Sequence, residues 1–230
     1  MKEILKRNSI FLGLSLILIV VLGLALLYIP QGDLHLWLCD RHTPTRDIFY
    51  RYYTRVAEWF PYVVCVYLLV FGRIGEGVFA TSALVLSSLT TQVLKHIIQA
   101  PRPLTWFAEH MPDVHLPLVE GVRMNYWLSF PSGHTTSFFA LALVVCMIYT
   151  RETRETRETS TTSTTSGLIQ TLLFYLAALG GYSRIYLSQH FPKDVFAGMI
   201  IGIGITLLCY VVFYRFKDQK WFNFRLFQKK

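Results

Sequence analysis

Residues 10–29 read "IFLGLSLILIVVLGLALLYI", twenty consecutive positions without a charged side chain. An α-helix needs about 20 mostly apolar residues to cross the hydrocarbon core of a bilayer. The apolar core of a secretory signal peptide is shorter, at about 7–15 residues. The run therefore predicts a membrane-spanning helix that is retained in the protein.

Five more apolar runs follow this one. The 230-residue chain is 53% hydrophobic and only 16% charged, whereas soluble domains carry about 25% charged residues. This composition predicts an all-α integral membrane bundle with six transmembrane helices, forming one domain over residues 1–230. The predicted spans are 10–29, 56–71, 75–98, 135–149, 167–182 and 195–216.

The charges indicate how such a bundle is oriented. With six spans both termini lie on one side, and 13 of the 22 Lys and Arg residues fall on that side. Because cytoplasmic loops carry an excess of basic residues, we expect a multi-pass protein of the cell inner (cytoplasmic) membrane. The formal net charge of +8 is spread over loops and forms no basic stripe, which argues against nucleic acid as a partner.

Two segments outside the spans have distinct compositions. Residues 30–55 mix aromatic and arginine side chains, a pattern typical of an outer interfacial segment. Residues 151–166 repeat "RET" and continue into a Ser/Thr tract, so we expect a flexible inner linker without chemistry. The four cysteines have no metal-ligand spacing and are interpreted as small apolar residues.

Polar residues cluster at three places, each at the predicted outer end of a span. The first cluster is "KHIIQAPRP", residues 95–103. Lys95 lies in the last helical turns, and Arg102 follows between two prolines that end the helix. The two cations can converge on one anion, although snorkelling of basic side chains at a membrane edge gives the same pattern.

The second cluster is "PSGH", residues 131–134, at the start of the fourth span. Ser132 is a helix-capping residue type, and Gly133 lets a ligand approach the backbone. Free N–H groups at a helix N-terminus bind anions, and His134 lies on the same turn. An ordinary helix cap followed by an incidental histidine is the alternative.

The third cluster is "SRIYLSQHFPKD", residues 183–194. Arg184 ends the fifth span, His190 lies in a short connection, and Asp194 lies just inside the sixth span. A carboxylate bonded to one imidazole nitrogen fixes the tautomer and leaves the other nitrogen free as a nucleophile or base. A capping aspartate beside a loop histidine is the alternative.

Together the clusters supply three cations, two histidines, a backbone anion site and an orienting carboxylate. This set suits phosphoryl transfer, with cations on the phosphate oxygens, one histidine attacking phosphorus and the other protonating the leaving oxygen. No aspartate cluster suited to Mg²⁺ accompanies it. We therefore expect neither a metal nor a cofactor.

The spacing of these residues resembles the three-part signature of the type 2 phosphatidic acid phosphatase superfamily, which consists here of Lys95 with Arg102-Pro103, then Pro131-Ser132-Gly133-His134, then Ser183-Arg184 with His190 and Asp194. The resemblance implies that His190 is the nucleophile that forms a phosphohistidine, that Asp194 orients it, and that His134 is the general acid. It also implies five phosphate-binding positions: Lys95, Arg102, Ser132, Gly133 and Arg184.

A site at the outer (periplasmic) face of this membrane indicates a lipid phosphate as the substrate, with membrane lipids as the only other expected partners. Undecaprenyl pyrophosphate, phosphatidylglycerol phosphate, phosphatidic acid and the phosphate of lipid A stay open, because the signature reads only the phosphate. Two other functions also stay open: a lipid phosphotransferase that uses the same site, and a non-catalytic protein that binds or transports phosphate lipids.

Overall fold

The structure is a computed structural model that describes residues 2–155 and 160–227, and the regular elements in these ranges are all helical. Eleven α-helices are numbered in chain order: α1 (Lys2–Arg7), α2 (Ser9–Tyr28), α3 (Gln31–Cys39), α4 (Pro44–Tyr53), α5 (Val56–Phe71), α6 (Ile74–Ile98), α7 (Pro103–His110), α8 (Gly133–Glu155), α9 (Ser160–Tyr186), α10 (Pro192–Phe213) and α11 (Lys220–Asn223). A 3₁₀ turn, Tyr214–Phe216, follows α10.

Five helical stretches in the described ranges are long and apolar enough to cross a membrane. They are Ser9–Tyr28, Pro44–Phe71, Ile74–His110, Gly133–Arg151 and Pro192–Phe216. The chain is thus a multi-pass membrane protein. The fifth predicted span, 167–182, lies inside the 27-residue helix α9, which does not meet the same measure; polar and glycine positions such as Gln170 and Gly180 dilute its apolar content.

Helix α8 forms the centre of the bundle. It packs against α5, α6, α9 and α10, and 72% of its apolar window is buried, compared with 11% for α2. A helix that is apolar all round and buried belongs to the core, whereas α2 presents its apolar surface outward. Because α8 begins at Gly133, the bundle fixes the position of the second polar cluster.

Helices α8 and α10 approach so closely that glycine is required between them. A Cβ atom on Gly198 would lie 2.6 Å from the Ser132 carbonyl oxygen, and one on Gly202 would lie 2.6 Å from the Thr136 carbonyl oxygen. The Thr136 hydroxyl donates to the Gly198 carbonyl at 3.1 Å. Small residues allow such close approach between membrane helices, and the contact ties the start of α8 to the start of α10.

Replacing Gly202 by valine is expected to destabilise the protein by about 1–3 kcal/mol, because the side chain overlaps the α8 backbone. Gly204, two residues along the same helix, has open space around its Cα, so Gly204→Val is the matched control. Thermal unfolding in detergent checks this. Equal midpoints for both variants would contradict the close α8–α10 packing.

The segment predicted as a flexible linker, 151–166, is largely helical. Helix α8 continues through residues 151–155 and α9 begins at Ser160, while residues 156–159 lie outside the described part. The linker was predicted because this polar segment has few apolar side chains to bury. A helix that has already formed extends at low free-energy cost through residues such as Arg and Glu. In the outer segment, 30–55, the structure places α3 and α4.

Candidate active site

The three polar clusters meet at one end of the bundle. Helices α6 and α9 arrive at this end with their C-termini, and α8 and α10 leave from it with their N-termini. Lys95 and Arg184 lie in the last turns of the arriving helices, and His134 and Asp194 lie in the first turns of the leaving ones. The predicted site residues are therefore adjacent in space although they span a hundred positions in the chain.

His190 lies in the connection of residues 187–191, and its side chain is only 2% exposed. Its backbone N–H donates to the Arg184 carbonyl oxygen at 3.1 Å. Its Nδ1 atom lies 3.4 Å from Asp194 Oδ2, longer than an ordinary hydrogen bond. The predicted histidine–carboxylate pair is thus adjacent, and a small movement would bond it.

Asp194 is held by the start of its own helix. It is the third residue of α10, and its Oδ2 atom accepts from the Phe191 backbone N–H at 2.9 Å and from the Ser129 hydroxyl. A carboxylate in the first turn also interacts favourably with the helix dipole. Its Oδ1 atom has no hydrogen-bond partner among the described residues. The carboxylate is therefore fixed in orientation and keeps capacity to accept another bond.

The connection that carries His190 has an unusual backbone. Ser188 adopts a φ of 49°, a left-handed conformation that non-glycine residues seldom adopt. Its hydroxyl donates to the Pro117 carbonyl oxygen at 3.2 Å and lies 3.3 Å from Nε2 of the buried His35. Such strain persists where the surroundings fix it, and these contacts hold the short turn that places His190.

The three predicted cations are buried, and the hydrogen bonds of Lys95 and Arg102 go to neutral oxygens, most of them in the backbone. Lys95 Nζ donates to the Leu128 carbonyl oxygen. Arg102 donates through Nε to the Trp127 carbonyl oxygen at 3.0 Å, and through one terminal nitrogen to the backbone and side-chain oxygens of Gln189 at 3.1 Å. These are neutral acceptors. The cations therefore keep most of their charge available for an anion.

Arg184 is the most enclosed of the three. Its residue is 6% exposed, and one terminal nitrogen donates to the Thr54 hydroxyl at 2.7 Å. Its Nε atom has no hydrogen-bond partner among the described residues. Since burying an unpaired charge is costly, the arrangement favours binding of an anion.

The start of α8 holds Ser132 in place and leaves the space beside Gly133 open. The Ser132 hydroxyl accepts from the Thr135 hydroxyl at 2.8 Å, and the Ser132 N–H donates to the Asp194 carbonyl oxygen at 3.0 Å. Among the described residues outside its own turn of helix, an added Cβ on Gly133 would meet Thr91 alone within 4 Å, at 3.9 Å. The first turn of α8 is thus open to a ligand, as an anion site at a helix N-terminus requires.

His134 lies at the rim of the site. Its side chain is 25% exposed, and its Nε2 atom lies 3.2 Å from Oε1 of Glu58 on α5. It also lies within electrostatic range of His190. The two histidines therefore occupy the same end of the bundle, one buried and one accessible.

Four supporting residues were not predicted from the sequence: Thr54, Glu58, Ser129 and Gln189. Gln189 directly precedes His190 and lies inside the third cluster, so the sequence could have indicated it. The other three contact the predicted residues only through the tertiary fold, and no sequence pattern marks them.

Burial and the nearby positive charges together control the protonation of His190. Burial, reinforced by the positive charges of Arg102, Arg184 and Lys95, lowers the pKa of His190 well below its usual value, because the site disfavours a further positive charge. An unfolded histidine takes up its proton near pH 6.5, so His190 stays neutral to a lower pH when the protein is folded.

A pH profile tests this environment. A neutral imidazole is the nucleophilic form, so the acid limb of kcat/KM is expected below about pH 6.5. On the same grounds the free energy of unfolding is expected to fall as the pH drops below that value, because only the unfolded chain binds the proton there. An acid limb above the usual histidine range would contradict the lowered pKa.

The described residues contain no group of three or more His, Cys, Asp or Glu side chains that could hold a metal ion. The donors that the structure brings together are mainly cations and imidazoles. A set of this kind suits an anion better than a cation.

Comparison with known proteins agrees with this arrangement. The profile of the PAP2 superfamily matches residues 76–218. The lipid A 4'-phosphatase of Porphyromonas gingivalis is 27% identical over 200 residues, which cover 83% of this chain and 75% of that protein. Dolichyldiphosphatase 1 of Dictyostelium discoideum is 29% identical over 145 residues, which cover 63% of this chain and 56% of that protein.

A solved structure is similar as well. The crystal structure of Aquifex aeolicus LpxE aligns with a TM-score of 0.59 and 27% identity, covering 78% of this chain and 93% of that one. The chain spans from about half to three quarters of the length of the two curated relatives given above.

The family match over residues 76–218 includes each predicted site residue and confirms the family resemblance. The chain belongs to the PAP2 superfamily.

Proposed function

We propose that this protein is a metal-independent phosphatase that removes phosphate from a membrane lipid phosphate or diphosphate through a phosphohistidine intermediate. One observation carries the proposal: a buried histidine lies 3.4 Å from a fixed carboxylate, within electrostatic range of three buried cations. A site that only binds phosphate needs the cations alone. The histidine–carboxylate pair adds a nucleophile.

The first half of the reaction follows from these groups. Lys95, Arg102 and Arg184 hold the phosphate oxygens and stabilise the charge that develops in the transition state. The lone pair of His190 Nε2 forms the N–P bond while Asp194 holds the ring through Nδ1. As the P–O bond to the lipid breaks, His134 gives its proton to the leaving oxygen.

In the second half, water replaces the lipid product. His134, now neutral, takes a proton from the water as its oxygen attacks phosphorus. The N–P bond breaks, inorganic phosphate leaves, and His190 regains its neutral form. Protons balance over the cycle, since His134 loses one in the first half and recovers one in the second.

A lipid substrate is supported by the surroundings of the site. An apolar cavity of about 190 Å³ lies between α5, α8 and α9. Two of its lining residues, Ala57 and Phe138, lie next to Glu58 and one turn after His134 respectively. A phosphate in the site therefore has apolar space beside it for the start of a lipid chain.

The relatives support a range of lipid substrates, since their names include a lipid A 4'-phosphatase and a dolichyldiphosphatase. The proposed substrate is one of four lipids: undecaprenyl pyrophosphate, phosphatidylglycerol phosphate, phosphatidic acid or lipid A. We also propose that α9 crosses the membrane in addition to the five stretches given above, which makes six spans, and that the site faces outward from the inner membrane, since the basic residues favour the other side.

The test is phosphate release by the purified protein in detergent from each of these four lipids, with and without EDTA. Release from at least one lipid, unchanged by EDTA, is the expected result. No release from any of them, or release that EDTA abolishes, would overturn the proposal. Labelled phosphate that appears on a second lipid instead of in solution would show a phosphotransferase.

A further inference from the structure

Two contacts to the site come from the junction of α4 and α5, outside the segment that the family profile matches. Thr54 and Glu58 lie one helical turn apart at this junction. Thr54 contacts Arg184 of α9, and Glu58 contacts His134 of α8. One turn of chain therefore touches a group that is proposed to hold the phosphate and another that is proposed to protonate the leaving oxygen.

Thr54 is positioned to fix the Arg184 guanidinium. It is 6% exposed, and its backbone N–H donates to the Tyr50 carbonyl oxygen at 3.1 Å, which holds it at the end of α4. Its hydroxyl accepts from Arg184 at 2.7 Å, a short distance typical of a charge-assisted bond. The hydroxyl thereby fixes one edge of the guanidinium. Because the group is planar and rigid, the directions of its remaining N–H groups are fixed as well.

Glu58 is positioned to fix the His134 ring. Its carboxylate oxygen lies 3.2 Å from His134 Nε2, and it also interacts electrostatically with Arg184. An imidazole that donates one nitrogen to a carboxylate has its ring orientation set and presents its other nitrogen to the substrate. The carboxylate also stabilises the imidazolium that a general acid requires.

The charges around His134 give this contact its importance. The three cations of the site, Arg184, Arg102 and Lys95, lie at the same end of the bundle as His134. Glu58, which lies on α5, brings a negatively charged carboxylate to 3.2 Å from His134 Nε2. An acid that works beside three cations needs such a partner.

We propose that Thr54 and Glu58 are positioning residues of the active site: Thr54 orients Arg184 toward the phosphate, and Glu58 orients His134 toward the leaving oxygen. The inference rests on the proposed phosphatase function and adds to it a part of the site that lies outside the family profile. It predicts separable defects, in phosphate binding for Thr54 and in leaving-group protonation for Glu58.

The Thr54 arm uses two near-isosteric variants, Thr54→Val and Thr54→Ser, and measures binding of inorganic phosphate by calorimetry. Valine removes the hydroxyl from a buried cation and is expected to weaken phosphate binding about tenfold or more, whereas serine keeps the hydroxyl and most of the affinity. Equal phosphate affinity of the valine variant and the wild type would overturn this arm. So would equal losses for serine and valine.

The Glu58 arm compares two substrates in Glu58→Gln, with Glu109→Gln on the exposed end of α7 as the control. A lipid monoester has a poor alkoxide leaving group and needs the acid, so its kcat/KM is expected to fall about 100-fold. An aryl phosphate such as p-nitrophenyl phosphate has a good leaving group and is expected to lose less than about threefold. Equal losses on both substrates, or none, would overturn this arm.

The two arms separate this inference from the proposed function. Turnover by the wild-type protein tests the function. The phosphate affinities of the Thr54 variants test the positioning of Arg184 even if no lipid is turned over. Active wild-type protein whose Thr54 and Glu58 variants behave like the wild type would leave the function intact and overturn the inference.

Discussion

Replacing His190 by alanine is expected to lower kcat on a lipid phosphate by about 10⁴-fold or more, as removal of a covalent nucleophile does in other enzymes. The side chain is buried and lies next to the buried carboxylate of Asp194, whereas the other described imidazoles that contact a carboxylate, those of His134 and His42, are partly exposed. Water attacking directly would have to replace both the nucleophile and the orienting pair. Phosphate release under saturating substrate measures the effect.

The control for this variant is His96→Ala. His96 lies in the last turn of α6, one residue after Lys95, and is exposed, so its loss is expected to leave kcat within about threefold, as for surface substitutions in general. A His190→Ala protein that folds like the wild type and keeps a near-normal rate would contradict the nucleophile assignment.

Replacing Asp194 by asparagine is expected to lower kcat by about 10³–10⁴-fold, as loss of an orienting carboxylate does in serine proteases. An amide beside His190 Nδ1 can present N–H groups instead of accepting oxygens, so the ring loses the partner that selects its tautomer. The Oδ2 atom also accepts from Phe191 N–H and Ser129. The variant is therefore expected to lose about 1–2 kcal/mol of stability as well.

Both effects are measurable on one preparation, by phosphate release and by thermal unfolding in detergent. Asp113→Asn, at an exposed position of the loop after α7, is the charge-matched control. A lower unfolding midpoint with unchanged kcat would assign Asp194 to the helix cap alone and would contradict its orienting role.

The spans were largely predictable because their signal is local. Residues 10–29, 56–71 and 75–98 were predicted from apolar runs, and the structure has Ser9–Tyr28, Val56–Phe71 and Ile74–Ile98. Helices α8 and α9 are longer than predicted, since they extend into the polar segment between them. Apolar counting finds the part of a helix that lies in the membrane and misses the turns that continue beyond it.

For the candidate site, the sequence predicts the signature residues but not the residues that support them. The signature residues are specific in type and spacing, so the eight predicted positions could be named without any structure. Thr54 and Glu58 could not, because their partners lie 130 and 76 positions away. The contact of Glu58 with His134 depends on how α5 packs against α8, which no local pattern records.

The central claim, that His190 carries the phosphoryl group, is tested most directly by trapping the intermediate. Protein is mixed with a lipid substrate that carries radiolabelled phosphate in its terminal position and is quenched in alkali, in which phosphohistidine survives and acyl phosphates do not. The peptide that contains residue 190 is then identified by mass spectrometry. The account predicts label on His190 in the wild type and none in His190→Ala. Rapid phosphate release with no labelled protein at any time, or label on another residue, would contradict it.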